Sequence, residues 1–564
     1  MSSDNDVNKK KKRKVNVRTG RRYRSGRADE HYDVIVIGSG IGGLANAALL
    51  SLLGKKVCVL EQHYTAGGFT HAYEREGYEW DVGVHYIGEV HKPYSTLRRI
   101  FDVVSEGRLK WQEMDSVYDR IIIGDEAFDF KAGRQEFIDS LVKRFPEEES
   151  AIKQYVDLIR KMSALSPRFF AAQAMPAWMG RIYNRVKPWF LPKECFMKTR
   201  EVLEGLTSNQ KLISVLTGQW GDYGQIPESA AFIMHALVAK HYLAGGAYPV
   251  GGASAIARTI IPTIQKSGGE VFTYAEVDEV VVENNTAIGV RMVTGDVIKA
   301  DKIVSNAGFL NTANRLLPEA SRQRWLPQDW KEKVKPSIAH LCLYAGFKGD
   351  TNALDLSSTN LWIYPDGDHE GNFDRYLSGS GENIPFTYVS FPSTKDPDWD
   401  ERYPNKSTVE VVTLANMDWY QSWQGTQWQQ RGDDYEAYKE RLSQELLERL
   451  YKHVPQLRDA LDYYELSTPL STEFYQLNQF GEIYGLDHSM ERFDQPFLHP
   501  QTAIKNFYLT GADVVTAGVG GALMGGLMTT MSMEGLLKAR KITRLLKDYQ
   551  PQDFPLTKPV TSAG

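Results

Sequence analysis

The sequence predicts an α/β protein, with a parallel sheet assembled from three separated parts of the chain and a second domain built from two insertions. Two observations carry this prediction. Three blocks combine an apolar strand, clustered glycines and a helix: residues 33–61, 248–273 and 507–540. The residues between the blocks are richer in Trp, Tyr and long amphipathic helices, such as the helix predicted over 434–453.

The first block carries the most specific motif. A β-branched strand runs into Gly38, Gly40 and Gly43 in the spacing G-x-G-x-x-G, and a small-residue helix, a second strand and Glu61 follow. Gly38 allows the tight turn, Gly40 lets the backbone approach a pyrophosphate, and Gly43 lets the helix pack on the strand. Glu61 is placed to accept hydrogen bonds from a ribose diol and would repel a 2′-phosphate. The motif therefore predicts a Rossmann-like site for FAD or NAD.

Chain length and the positions of the blocks set the expected domain boundaries. A chain of 564 residues is too long for one hydrophobic core. We expect a disordered tail over 1–31. The dinucleotide-binding domain is predicted to comprise 32–105, 246–316 and 496–545, and an α+β substrate-binding domain to comprise 106–245 and 317–495.

The composition is that of a soluble globular protein, with 42% hydrophobic and 24% charged residues. The three cysteines, Cys58, Cys195 and Cys342, are widely separated and lack metal-ligand spacing. They suit a reducing compartment, or a fold that needs no disulfides. No metal site and no secretory leader are predicted.

The N-terminal tail is strongly basic. Residues 1–30 hold eleven Lys and Arg and four Asp and Glu, a net charge of +7 against −5 for the whole chain. Such a segment could attract an anionic membrane, act as a solvated extension, or serve as a nuclear-import-like or nucleic-acid-binding patch. The acidic body does not favour a nucleic-acid partner.

A second segment with membrane character lies over residues 167–192, where Phe, Met and Trp alternate with Arg and Lys. Amphipathic stretches of this composition lie in membrane interfaces. The alternative is an inner wall of the substrate-binding domain. With the basic tail, this segment leads us to expect peripheral membrane association on the cytoplasmic side.

From about residue 32 to 545 the chain resembles the flavin amine oxidase and phytoene desaturase superfamily, and within it the retinol saturase branch near the carotenoid isomerases. The nucleotide motif and the Thr510–Asp513 block are general to the superfamily. More specific to the branch are the segments 83–88, 221–224, 248–252, 305–308 and 391–399, the last reading FPSTKDPDW. The chain departs from the animal members of the branch at Ala247 and Val250, which leaves the identity of the lipid substrate open.

The resemblance implies FAD as cofactor, with specific roles for residues of this chain. Gly38, Gly40 and Gly43 would hold the pyrophosphate, and Glu61 would bind the adenosine ribose. Gly67 and Gly68 would approach the phosphate and ribityl chain, and the backbone of Val277 would bind the adenine. Ala307 would line the cofactor, and Asp513 would bind the ribityl or pyrophosphate region. A helix beginning near Gly521 would aim its N-terminus at the flavin ring. Reduced flavin carries negative charge there, which a helix N-terminus stabilises.

The chemistry expected of this branch is saturation of a carbon–carbon double bond in a polyene lipid: a retinoid, a carotenoid or an unsaturated fatty acyl chain. Flavin supplies a hydride and a positioned acid supplies a proton. The candidates for the acid are His85 and Tyr86, then a second cluster of Tyr223, His235, His241 and Tyr248. Each could instead be a buried side chain with a satisfied hydrogen bond.

Two other functions remain open at this stage. A polyene isomerase or desaturase would use the same flavin site, and a non-catalytic flavoprotein would only bind the lipid. The later glycine clusters lack a second nucleotide fingerprint, so we expect the electrons to come from an external donor.

Overall fold

The computed structural model describes residues 17–379 and 381–548. Its strands are β1 Arg21–Arg22, β2 His31–Ile37, β3 Val57–Leu60, β4 Ala72–Arg75, β5 Tyr78–Asp81, β6 Ile87–Gly88, β7 Trp111–Glu113, β8 Val117–Ile123, β9 Glu126–Lys131, β10 Gly246–Pro249, β11 Glu270–Thr273, β12 Val277–Glu283, β13 Thr286–Met292, β14 Val297–Ser305, β15 Ala339–Lys348, β16 Asn360–Tyr364, β17 Thr387–Ser390, β18 Lys406–Ala415, β19 Leu461–Ser467 and β20 Phe507–Leu509.

The α-helices are α1 Ile41–Leu52, α2 Thr96–Ser105, α3 Arg134–Val142, α4 Glu149–Phe169, α5 Ala177–Val186, α6 Thr199–Glu204, α7 Gln210–Leu216, α8 Phe232–Tyr242, α9 Ala255–Gln265, α10 Phe309–Asn311, α11 Glu319–Trp325, α12 Trp330–Lys333, α13 His369–Leu377, α14 Pro392–Lys395, α15 Trp399–Arg402, α16 Asp433–His453, α17 Pro469–Gln476, α18 Met490–Phe493 and α19 Gly518–Asp548. Short 3₁₀ turns connect several of them.

The first sheet is built from three parts of the chain. Its order is β1-β11-β3-β2-β14-β13-β12, and β20 pairs with the end of β14 beyond β13. The pairs that join β2, β3, β11, β14 and β20 are all parallel. The α/β class predicted from the sequence is confirmed. The carboxyl ends of β2, β3, β14 and β20 meet at one edge of this sheet, which is where α/β proteins bind ligands.

Helices α1 and α19 cross at close range beneath that edge. A Cβ added to Gly526 would lie 2.5 Å from the carbonyl oxygen of Gly42, so the crossing requires glycine. The Asn46 side chain in α1 donates a hydrogen bond of 2.8 Å to Thr530 in α19. The C-terminal block is thereby fixed against the N-terminal nucleotide motif.

The second sheet takes its strands from both insertions. Its order is β19-β15-β18-β17-β16-β8-β9, and β8 and β16 run parallel while the other pairs are antiparallel. The hairpin of β4 and β5 packs on it, and Trp80 donates a hydrogen bond of 3.2 Å to the carbonyl of Ala345 in β15. The chain reaches His85 four residues after this hairpin ends at Asp81. The packing of the hairpin therefore places His85 beside the second sheet.

The boundary predicted at residue 31 differs from the structure. Residues 1–16 lie outside the described part of the chain, but β1 pairs in parallel with β11 and extends the first sheet. Tyr23 is 6% exposed and its ring packs at 86° against Phe272. The sequence prediction missed the buried Tyr23 because basic residues surround it. Strands at a sheet edge commonly carry such charged side chains.

The segment 167–192 is partly buried and partly exposed. Phe169, Phe170 and Lys187 are buried, and the Lys187 ammonium lies 4.4 Å from the centre of the Phe169 ring. Trp178 and Trp189 are instead 61% and 83% exposed. Among residues 17–548, leaving out residue 380, no helix is long and apolar enough to cross a membrane.

Candidate active site

A cavity of about 320 Å³ lies at the carboxyl edge of the first sheet and reaches the second sheet. Eight of the ten residues predicted to bind the cofactor line it: Gly38, Gly40, Glu61, Gly67, Gly68, Val277, Ala307 and Asp513. His340 from β15, Val412 from β18 and Tyr484 close its other end. The structure therefore brings residues separated by several hundred positions in sequence to one site.

The glycines leave room for a ligand against the backbone. Gly38 has a φ of +93°, which a residue with a side chain rarely adopts. A Cβ on Gly40 would meet only the Asn306 side-chain nitrogen within 4 Å, at 2.9 Å, and a Cβ on Gly68 would lie 2.9 Å from the Gly40 Cα. Helix α1 begins at Ile41, so its free N–H groups face this space. The cradle fits a dinucleotide pyrophosphate.

Gly43 and Gly521 occupy different positions from the other eight residues. A Cβ on Gly43 would lie 2.3 Å from the Gly38 carbonyl oxygen, so this glycine packs helix on turn, as the motif predicts, rather than lining the cavity. A Cβ on Gly521 would lie 2.1 Å from the Thr516 carbonyl oxygen. Helix α19 begins at Gly518, earlier than predicted, and Gly518 and Val519 line the cavity in place of Gly521.

Glu61 is held by the loop that follows β2. The Ser39 N–H and hydroxyl donate hydrogen bonds of 2.9 and 2.7 Å to one carboxylate oxygen, and the His63 N–H donates one of 2.8 Å to the other. The Ser39 oxygen also accepts a hydrogen bond of 3.0 Å from the Gly67 N–H. Ser39 was not singled out in the sequence, although it lies between the first two motif glycines. It fixes the carboxylate at the cavity wall.

Asp513 organises the opposite side of the cavity. One carboxylate oxygen accepts a hydrogen bond of 2.6 Å from the Phe309 N–H, and the other accepts one of 2.9 Å from the Leu486 N–H. These bonds tie the start of α10 and the loop at residue 486 to the 3₁₀ turn Ala512–Val514, which precedes α19. The carboxylate is thereby oriented toward the cavity that it lines.

His85 is the only one of the four predicted catalytic residues that lines the cavity. About a fifth of its side chain is exposed, and its Nδ1 lies 2.8 Å from an oxygen of the fully buried Glu410 in β18. Burial, with Lys395 nearby, lowers the pKa of His85 to about 3. The imidazole is therefore neutral at physiological pH, and its orientation is set by Glu410.

The other three predicted residues are buried away from the cavity. The Tyr86 hydroxyl donates a hydrogen bond of 2.8 Å to Asp119, and the Tyr248 hydroxyl donates one to Asp81. Tyr223 is hydrogen-bonded at 3.2 Å to His235, whose other nitrogen lies 2.9 Å from the Tyr155 hydroxyl. Each therefore has the buried, hydrogen-bonded environment that was the alternative to a catalytic role.

His241, the remaining candidate acid of the second cluster, also has a structural role. Its Nε2 accepts a hydrogen bond of 2.7 Å from the Gly88 N–H. Burial, with Lys240 nearby, lowers the pKa of this imidazole to about 3. The histidine therefore joins α8 to β6 and does not face the cavity.

Lys395 was missed as a site residue, although it lies in the branch-specific segment 391–399. Its ammonium is buried and donates hydrogen bonds of 2.6 Å to Asn360, 2.7 Å to the Ser390 hydroxyl and 2.9 Å to the His85 carbonyl. Burial lowers its pKa to about 7, against the attraction of Glu410. The position of this segment outside the nucleotide blocks was the signal that could have identified it.

The residues that follow Lys395 have a structural role. Arg402, three residues beyond the segment 391–399, donates hydrogen bonds to Glu79 in β5 and to Asp396, and all three side chains are nearly buried. Asp396 in turn accepts a hydrogen bond of 3.0 Å from the Gly251 N–H. The segment therefore joins the β4–β5 hairpin to the loop after β10 and holds His85 in place.

We expect Arg402→Met to destabilise the fold by about 3–5 kcal/mol, because it leaves two buried carboxylates without their cation. The midpoint of thermal unfolding measures the effect. Arg458→Met is the matched control: Arg458 pairs with Glu448 while both side chains are more than half exposed, and loss of such a solvent-screened pair should leave the midpoint nearly unchanged. Equal midpoints for the two variants would contradict this account of the segment.

Comparison with known proteins identifies the class of this chain. Residues 41–530 match the family described as flavin containing amine oxidoreductase. The chain therefore belongs to that family and is an oxidoreductase with a flavin cofactor. The resemblance inferred from the motifs is confirmed.

Among curated proteins, the chain is similar to all-trans-retinol 13,14-reductase of Danio rerio, with 36% identity over 528 residues that cover 90% of this chain and 86% of that protein. It is 26% identical over 516 residues to the chloroplastic prolycopene isomerase of Daucus carota, covering 86% and 77% of the two chains. A solved structure of putrescine oxidase bound to putrescine superposes with a TM-score of 0.59 at 15% identity, covering 89% of this chain and 99% of that one. This last similarity shows the shared fold alone.

Proposed function

We propose that the protein is an FAD-dependent oxidoreductase that saturates a carbon–carbon double bond of a polyene lipid, such as a retinoid, a carotenoid or an unsaturated fatty acyl chain. The observation that supports this proposal is that one cavity has two chemically different ends. Its glycine end suits a pyrophosphate, whereas its other end presents His85 beside the apolar side chains of Val412 and Ile483. The retinol reductase among its relatives favours a polyene substrate.

In this proposal each residue of the chain has a defined task. Gly38 and Gly40 hold the pyrophosphate at the start of α1, Glu61 binds the ribose, and the N-terminus of α19 stabilises negative charge on the ring. When bound, FAD supplies the hydride. His85 faces the same space and holds the proton that the neighbouring carbon requires. An external donor supplies the electrons, because the chain carries a single dinucleotide motif.

The product mass distinguishes this function from its alternatives. The purified protein is reduced chemically without oxygen and offered retinol, a carotenoid and an unsaturated fatty acid. A product heavier by two hydrogens supports the reductase. An unchanged mass with altered double-bond geometry would indicate an isomerase, which the similarity to prolycopene isomerase would favour. A loss of two hydrogens would indicate a desaturase. Flavin that stays reduced with every lipid would indicate a binding protein.

We further propose that the protein docks peripherally on an anionic membrane through a docking patch formed by Trp178, Ile182, Trp189 and Phe190. These side chains are between 52% and 83% exposed. Trp178 and Ile182 are four residues apart and share one face of α5 with the exposed Arg181 and Arg185. Exposed aromatic rings beside cations match the interface of a bilayer that carries acidic lipids.

We expect Trp178→Ser combined with Trp189→Ser to lower binding to vesicles of phosphatidylcholine and phosphatidylserine at least about tenfold, since burial of each ring contributes more than 1 kcal/mol. Vesicle flotation measures this, and binding by the unchanged protein should fall as salt rises. Tyr94→Ser is the control, because Tyr94 is 78% exposed elsewhere. Unchanged flotation of the double variant would contradict the docking patch.

A further inference from the structure

The pair formed by His85 and Glu410 joins the cavity to the buried interior of the second domain. The Nδ1 of His85 lies 2.8 Å from one oxygen of Glu410, and the other oxygen accepts a hydrogen bond of 2.8 Å from the Asp81 N–H. The Glu410 side chain is fully buried, whereas His85 borders the cavity. The carboxyl group therefore reaches the cavity only through the imidazole ring.

The direction of the hydrogen bond between them follows from their surroundings. Burial raises the pKa of Glu410 to about 8 and lowers that of His85 to about 3. At neutral pH the carboxyl is protonated and the imidazole is neutral. The O–H of Glu410 then donates to Nδ1, and His85 carries its own proton on Nε2.

Several other titratable groups act on this pair. Asp81 and Lys395 act on Glu410, His340 and Lys395 interact with His85, and the Tyr388 ring packs 5.1 Å from the His85 ring. The remaining groups that interact with Glu410 are Cys342 and Tyr344 of β15 and Tyr248 of β10. Lys395 is the basic group among them, and the charge of Glu410 raises its pKa, so ionisation of Glu410 favours the ammonium form of Lys395 beside it.

We propose that Glu410 stores the proton used in alkene reduction and that His85 relays it to the substrate. This inference rests on the proposed function. The π bond of the substrate breaks as one carbon takes a hydride from the reduced flavin and the neighbouring carbon takes the Nε2 proton. The O–H bond of Glu410 breaks as its proton moves to Nδ1. His85 remains neutral with its proton on Nδ1, and Glu410 becomes a carboxylate near Lys395.

The relay predicts a change of tautomer that is independent of turnover. In protein labelled with ¹⁵N-histidine, His85 is identified by the resonance that disappears in His85→Gln. Its proton should lie on Nε2 at pH 6.5 and shift to Nδ1 as the pH rises through about 8, where Glu410 ionises. A proton on Nδ1 already at pH 6.5 would overturn the proposal.

Glu410→Gln separates proton storage from orientation. The amide oxygen can still accept the Asp81 N–H, and the amide N–H₂ can donate to Nδ1, so His85 should keep its proton on Nε2 from pH 6.5 to 9.5. Because the amide cannot release a proton, reoxidation of reduced flavin by the polyene should slow about 10²–10⁴-fold, with unchanged FAD affinity.

The tautomer and the reoxidation rate distinguish failure of the proposed function from failure of the relay. If the unchanged protein reduces no polyene, the proposed function fails, whereas the tautomer still reports on the pair. If Glu410→Gln reoxidises flavin at the rate of the unchanged protein, or if its His85 still changes tautomer near pH 8, the relay is wrong even though the protein is a reductase.

Discussion

Replacing His85 with glutamine is expected to slow polyene reduction about 10²–10⁴-fold, the usual contribution of a positioned general acid. Glutamine can still fill the space beside Glu410, but its amide cannot transfer a proton to carbon. Hydride transfer alone would leave a carbanion, so loss of the acid affects the chemical step directly. Anaerobic stopped-flow measurement of flavin reoxidation by excess polyene reports that step.

The control for this variant is His31→Gln. His31 lies at the surface, 3.1 Å from Asp301, with 57% of its side chain exposed, and its replacement should leave the rate unchanged. FAD affinity should be equal in both variants. If His85→Gln reoxidises flavin as fast as the unchanged protein, His85 is not the proton donor; if it loses FAD instead, its role is in binding.

Gly40→Ala is expected to weaken FAD binding about 10²-fold, or about 2.7 kcal/mol. The backbone of Gly40 has ordinary angles, with a φ of −55°, so alanine can adopt them without strain. The added methyl group would stand between the start of α1 and the pyrophosphate and lengthen charge-assisted hydrogen bonds worth about 1.5–3 kcal/mol each. Titration of the FAD-free protein, followed by quenching of flavin fluorescence, measures the affinity.

Gly205→Ala is the matched glycine replacement. Gly205 ends α6 with a φ of −71° and lies exposed on the second domain, so FAD affinity should not change. Thermal unfolding of Gly40→Ala should match that of the control, because the new Cβ meets only the end of the Asn306 side chain. Undiminished FAD binding by Gly40→Ala would show that the pyrophosphate lies elsewhere.

The nucleotide-binding part of the fold could be predicted because its signals are local. The block predicted over 248–273 contains α9, Ala255–Gln265, and β11, Glu270–Thr273, and the block predicted over 507–540 contains β20, Phe507–Leu509, and most of α19. Strand periodicity, glycine turns and small-residue helices leave their pattern within about thirty residues. Of the eight cofactor-binding candidates that line the cavity, Gly38, Gly40 and Glu61 come from this local motif, and the other five were assigned through the family resemblance.

The catalytic part could not be predicted with the same success, because its contacts are distant in sequence. Glu410 lies 325 positions after His85, and nothing in the sequence near either residue indicates their hydrogen bond. Tyr86 and Tyr248 donate hydrogen bonds to buried carboxylates, and Tyr223 is hydrogen-bonded to a buried histidine, so none of the three hydroxyl groups faces the cavity. The direction in which a buried side chain points is a tertiary property.

The structure of the protein with FAD bound tests the central claim most directly. The account predicts the pyrophosphate against Gly38 and Gly40, the ribose on Glu61, and the isoalloxazine ring at the end of the cavity formed by His85 and Tyr484. A ring directed away from His85, or a cavity that stays free of FAD in protein that retains its flavin, would contradict it.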